Sequence, residues 1–196
     1  MTQFRDIDAL TSALRDLGDT LAARGHMYEL YVIGGAAFLL QEPRLARATG
    51  DLDVAAMLLE DGEIVAPVPL PTPLAEAAAA VASLHDLSPG WINSAAAASF
   101  DNLLPDGALD RARVQRWGTL TLRIADRIDL VKLKFQAAQR RGAKGARYRD
   151  DLARMQPTDG ELTDALAWYL SSQTDAATAG DRARQVLEEV EAMRNG

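Results

Sequence analysis

The chain has 196 residues, a net charge of −7 and no cysteine. That length suits one domain, or one domain with a helical extension, and the acid excess argues against a protein that coats nucleic acid non-specifically. The absence of cysteine excludes disulfides and thiolate metal sites, no leader pattern opens the sequence, and no apolar run approaches the roughly 18 residues that span a bilayer, so a cytoplasmic setting is expected.

Ile7, Leu10, Leu14, Leu17 and Leu21 recur three and four residues apart, which predicts an amphipathic helix over residues 6–24, ended by Gly25. The apolar run Leu30 to Ile33 reads as a short buried strand. Gly34-Gly35 break it, and Ala36 to Leu40 start a short helix. Adjacent glycines let the backbone turn sharply and approach a ligand, and a helix start offers N–H groups to phosphate. A second strand begins with Leu52, Val54 and Ala55 and is expected to carry Asp51 and Asp53. Strand residues two apart share a face, so the two carboxylates project towards one point. They repel unless a cation lies between them, and hard oxygen ligands favour Mg²⁺. Taken singly, each feature has a plain alternative: a tight turn for the glycines, a solvated edge or turn cap for the aspartates.

The combination is more specific. An apolar residue, Gly34-Gly35, a spacer and Asp51-x-Asp53 resemble the signature of the nucleotidyltransferase superfamily of the DNA-polymerase-β type. The fuller pattern, Gly34-Gly35 with Arg47-x-Thr49-x-Asp51-x-Asp53, resembles the branch containing abortive-infection (AbiEii-like) toxins and related uncharacterised domains. The resemblance implies an α/β (α+β) nucleotidyltransferase fold: a small mixed sheet flanked by helices, with a helical C-terminal lobe. Residues 1–128 would form the core with its N-terminal helix and residues 129–196 the lobe, together one compact unit. The implied reaction is Mg²⁺-dependent transfer of a nucleoside monophosphate from an NTP to an acceptor hydroxyl on tRNA or a protein, with a cognate antitoxin as a further partner. Asp51 and Asp53 would hold the metal, with Gly34, Gly35, Arg47 and Thr49 around the nucleotide.

Further along, Pro67, Pro69, Pro71 and Pro73 predict extended chain over 65–73, and Leu74 to Leu84 an alanine-rich helix. Ser88 to Asn93 introduce a buried aromatic, Trp91, with Asn93 either near the site or a helix cap. Ser99 to Asp106 read as a connection. Leu120, Leu122 and Ile124 alternate with polar residues as a half-buried strand. This is where the superfamily often places its third carboxylate, but the strand holds no acid; Asp126 comes only at its end, and Asp151 is the other candidate. A catalytically degenerate nucleotide-binding module and a protein-interaction subunit are therefore the alternative readings.

Asp129 to Arg141 is predicted helical, with Lys134 inside its apolar arc and Lys132 opposite. A lysine on that arc either snorkels or meets an anion. The resemblance extends to Lys134-Phe-Gln-Ala137, the basic residues after it and Asp151-Leu152, and implies that Lys134 contacts nucleotide phosphate and that Asp151 belongs to the catalytic group. From Lys132 to Arg149 seven cations occur without an acid, either a phosphate-receiving block or a solvated face. A basic loop at 141–145, a helix from Ala146, a Thr158/Glu161 capping box, a polar break at 173–180 and a final helix over 181–194 complete the expectation.

Overall fold

The computed structural model describes residues 3, 4, 6–99 and 104–195. They fall into two compact units, Met1–Asp126 and Arg127–Gly196. Part of the connection expected at 99–106 lies outside the described residues.

The first unit is a mixed α/β layer. Helix α1 (Ile7–Ala23) starts where the Asp6 side chain accepts the Ala9 N–H, and it buries Leu10, Leu14, Leu17 and Leu21 on one stripe. Strand β1 (Tyr28–Ile33) leads directly into α2 (Gly34–Gln41), whose residues Ala36 to Leu40 are all buried. β2 (Leu52–Leu58) and the two-residue β3 (Ile64–Val65) follow. Helix α3 (Thr72–Leu84) begins earlier than the proline pattern suggests. Pro73 sits in its first turn, where a missing N–H costs no intrahelical hydrogen bond. β4 (Ile92–Asn93), the short α4 (Ala95–Ser99) and α5 (Ala108–Arg111), β5 (Arg113–Trp117) and β6 (Leu120–Ile124) complete the unit.

The strands form one sheet in the order β3-β2-β1-β6-β5, with β4 pairing β2. β1 runs antiparallel to β2 and parallel to β6, so the sheet is mixed around its central strand. β6 alternates buried Leu120, Leu122 and Ile124 with half-buried Thr121 and Arg123. Neither β4 nor β5 is expected from the sequence. β4 is too short to carry a period, and β5 is an edge strand, mostly exposed, with no apolar alternation to reveal it.

The second unit is helical: α6 (Arg127–Ala138), α7 (Gly142–Arg154), α8 (Asp159–Ser171) and α9 (Ala176–Asn195). The expected capping box is present, with Thr158 Oγ1 accepting the Glu161 N–H and the Glu161 carboxylate accepting the Thr158 N–H. The expected loop at 141–145 is instead the first turn of α7. Glycines weaken a helix, which hides its start from propensity. Here Gly145 is required by packing, since a Cβ would lie 1.7 Å from the Arg140 carbonyl oxygen. α9 likewise begins inside the expected polar break, with the Asp175 carboxylate accepting the Thr178 N–H.

Candidate functional site

The glycine turn ends β1. Gly34 opens α2 with φ +78°, a left-handed conformation open to glycine with little strain. Beside it, Ile33 pairs with Asp53 on β2. A Cβ on Gly34 would lie 2.3 Å from Asp53 Oδ2, so the carboxylate rests directly over the glycine. Gly35 stands against Thr49 in the same way, its notional Cβ 2.9 Å from Thr49 Oγ1. The Thr49 hydroxyl, buried, faces the Asp51 carbonyl at 3.2 Å and the Asp51 carboxylate at 3.3 Å. Gly34, Gly35, Thr49, Asp51 and Asp53 are thus brought together by one turn and one strand end.

Asp51 itself precedes β2 rather than lying on it, because pairing starts at Leu52, whose N–H bonds to the Trp91 carbonyl. The expectation of two carboxylates on one strand is corrected to one on the strand and one in the lead-in. Asp51 is exposed and Asp53 half-buried. Arg47 is exposed on the loop after α2.

Three devices set this geometry, and none is legible as a local pattern. A bulge in the β1–β2 ladder takes the register from Tyr31↔Ala56 to Val32↔Val54, leaving Ala55 as the extra residue. A bulge re-aims the side chains beyond it, and this one places Asp53, not Val54, opposite Ile33. Phe4 forms an isolated bridge with Thr49, two backbone hydrogen bonds of 2.7 and 3.1 Å that hold the loop. Phe4 packs edge-on against the fully buried Trp91, whose indole N–H donates to the Ala78 carbonyl on α3. Trp91 is legible in the sequence as a buried aromatic, and its full burial bears that out, whereas its partner Phe4 and the bulge surface only once long-range pairing is known.

Asn93 on β4 pairs with Asp53, and its side-chain oxygen accepts the N–H of Ala95, the first residue of α4. β6 borders β1, not β2, and its polar member Arg123 bonds to Glu29. Asp126 lies two residues beyond Ile124, the last β6 partner of β1, while the Gln41 side chain holds the intervening Ala125 carbonyl.

In the second unit Lys134 is 15% exposed and pairs with Asp151, 11% exposed, at 3.1 Å. The ammonium also lies 5.2 Å from the centroid of the Tyr148 ring. Lys134 therefore meets its counter-charge on α7, and its place on the apolar arc is accounted for without a nucleotide. Lys132, expected in solvent, is half-buried. Asp150 pairs with Arg154 and faces away from Asp151, as the helical phase implies. Asp129, a fully buried carboxylate in the first turn of α6, has no pattern in the sequence that singles it out.

No group of three or more His, Asp or Glu able to hold a metal occurs among the described residues. Asp51 and Asp53 still suit Mg²⁺, which at phosphoryl-transfer sites is held by one or two carboxylates while substrate phosphates and water complete the shell. A cavity of about 430 Å³ opens elsewhere in the first unit, lined by Ala55, Ala56, Ile64, Leu104, Pro105 and Asp110 among others. Among the described residues Asp110 is the sole ionisable group in its lining, which does not suit a polyphosphate. No helix among the described residues is long and apolar enough to cross a membrane. No family model matches the chain, and neither a curated protein nor a solved structure matches it.

Proposed function

We propose that the first unit binds a Mg²⁺–nucleoside triphosphate at the Gly34 turn and transfers its nucleoside monophosphate to an acceptor hydroxyl, in the manner of a nucleotidyltransferase. The hydroxyl gives up its proton as the α–β phosphoanhydride bond breaks and pyrophosphate leaves. The observation that carries this reading is the seating of the Asp53 carboxylate on Gly34, with Thr49 linking Gly35 to Asp51. A turn without side chains gives phosphate oxygens access to backbone N–H groups, and the neighbouring carboxylates hold the cation that those oxygens bring. Mg²⁺, when bound, neutralises charge on the transferring phosphoryl group. Asp51 and Asp53 position it, Gly34 and Gly35 keep the approach open, and Arg47 adds positive charge at the rim. Lys134 and Asp151 answer one another within the second unit, so this reading is built on the first unit alone.

A second reading has its own support. The strand residue beside Asp53 is Asn93, an amide, and β6, where the resemblance calls for a carboxylate, holds no acid, Asp126 coming two residues after its end. Without a third acid to activate the acceptor, the unit would hold nucleotide and turn it over slowly or not at all. Incubation with each α-labelled NTP, Mg²⁺ and total RNA or cell protein separates the two. Label transfer that is lost in Asp53→Asn supports the transferase; nucleotide retention without transfer supports the binding module.

A further inference from the structure

In the second unit most cations are already engaged. Arg127, Lys134, Arg149, Arg154, Arg184 and Arg194 each pair with a carboxylate, and Arg182 donates to the carbonyls of Gln139 and Arg140. Exposure does not prevent pairing, since Arg154 and Arg184 are 58% and 62% exposed and still paired. Among the described residues, Arg140, Arg141, Lys144 and Arg147 have neither an ion pair nor a side-chain hydrogen bond, and all four are exposed. They occupy one corner, with Arg140 and the N-cap Arg141 in the α6–α7 connection and Lys144 and Arg147 in the first two turns of α7.

That corner is held firmly from within. Arg149 donates to the Ala138 carbonyl at 3.0 Å, Arg182 reaches the next two carbonyls, and Gly145 sits against the Arg140 carbonyl. The backbone that presents the four cations is therefore fixed before anything binds, which lowers the ordering cost of binding. We infer that the α6–α7 corner is a docking surface for the phosphodiester backbone of a nucleic acid.

Three of the four cations are arginines, whose planar fork matches phosphate oxygens better than an ammonium does. The exposed large apolar side chains, among them Met27, Ile64, Leu84 and Met193, all lie outside residues 127–154, so the corner offers no apolar wedge for a lipid surface. Charge is also segregated along the chain. The first unit carries 9 Lys and Arg against 17 Asp and Glu, a net of −8, while the second carries 12 against 11, a net of +1, and these sum to −7. A polyanion is repelled by most of the surface and accepted at this corner, which makes its binding confined and steeply salt-dependent.

The inference stands apart from the nucleotide chemistry above, because binding is read without NTP or Mg²⁺. The test is fluorescence anisotropy of the full chain with single-stranded RNA and DNA of the same sequence, about 20 nucleotides long. Four phosphate contacts predict a slope of log affinity on log salt near about −3, a loss of roughly fiftyfold between about 50 and about 200 mM. Arg140→Gln/Arg141→Gln/Lys144→Gln/Arg147→Gln should bind at least tenfold more weakly. Arg15→Gln/Arg24→Gln/Arg116→Gln/Arg184→Gln, with the same change in net charge, should stay within threefold of wild type. Circular dichroism checks that both variants keep the native helix content. Equal RNA and DNA affinity means that charge alone is read; RNA preference adds a 2′-hydroxyl contact, and either supports the inference. No binding at the lower salt, equal losses in the two variants, or binding to phosphatidylserine vesicles but to neither nucleic acid overturns it.

Discussion

Lys134 and Asp151 are both mostly buried and carry opposite charges 3.1 Å apart, whereas Asp51 and Asp53 carry the same charge at the mouth of a glycine turn. The first arrangement completes itself: each group neutralises the other and Tyr148 covers the ammonium. The second, under the proposed function, holds the cation that a nucleotide brings. A buried opposite pair is accordingly tested by stability, and a like-charged pair by binding.

The largest effect is expected in the helical unit. Lys134→Met keeps the apolar stem but leaves Asp151 without its ammonium, and removing one partner of a buried pair costs about 3–5 kcal/mol. Lys134→Met/Asp151→Leu removes both charges and should recover most of that loss, since apolar replacement of a buried pair is often neutral or stabilising. Denaturant unfolding of the single and double variants measures both. A double variant as unstable as the single would show that the pair is not what holds these side chains.

Next comes Gly34→Ala, where a Cβ meets the Asp53 carboxylate at 2.3 Å on a backbone at φ +78°. The strained backbone alone costs on the order of 1–3 kcal/mol, and displacing Asp53 should also abolish nucleotide binding. If thermal unfolding finds the variant as stable as wild type, the turn is not as tightly closed as described.

A smaller effect lies at the start of α8. Thr158→Ala removes the cap acceptor for the Glu161 N–H and should cost about 1 kcal/mol. Burial alone would push the Glu161 carboxyl up, but hydrogen bonds from Arg127 and Thr158 outweigh it and hold the group below its ordinary value of 4.5. A depressed acid stabilises the fold above its ordinary value, and that contribution is lost as pH falls through the lower folded value. Glu161→Gln should therefore flatten the acid limb of the stability curve, which unfolding between about pH 2 and about pH 6 measures.

These sites differ in how far the sequence discloses them. The capping box, the α1 stripe and the alternation of β6 are set by neighbours three, four or two residues apart, so the periods alone reveal them. The glycine turn and the Asp-x-Asp motif are legible as residue types, but their contact depends on the bulge at Tyr31/Val32 and on the Phe4–Thr49 bridge. Both are pairings across many residues that no local period records. Lys134 shows the converse: its helical phase correctly marks a lysine needing an anion, yet the anion is Asp151, seventeen positions along the chain. Helical phase identifies the need for a partner and does not choose among partners.

The smallest effect on folding accompanies the sharpest functional test. Asp51 is exposed, so Asp51→Asn should change stability by no more than about 0.5 kcal/mol. Isothermal titration of each NTP with Mg²⁺ into wild type, Asp51→Asn and Asp53→Asn tests the central claim most directly. The account predicts that at least one Mg²⁺–NTP binds wild type and that each substitution weakens it more than tenfold. Equal affinity in all three proteins, or no binding of any NTP to wild type, would contradict it.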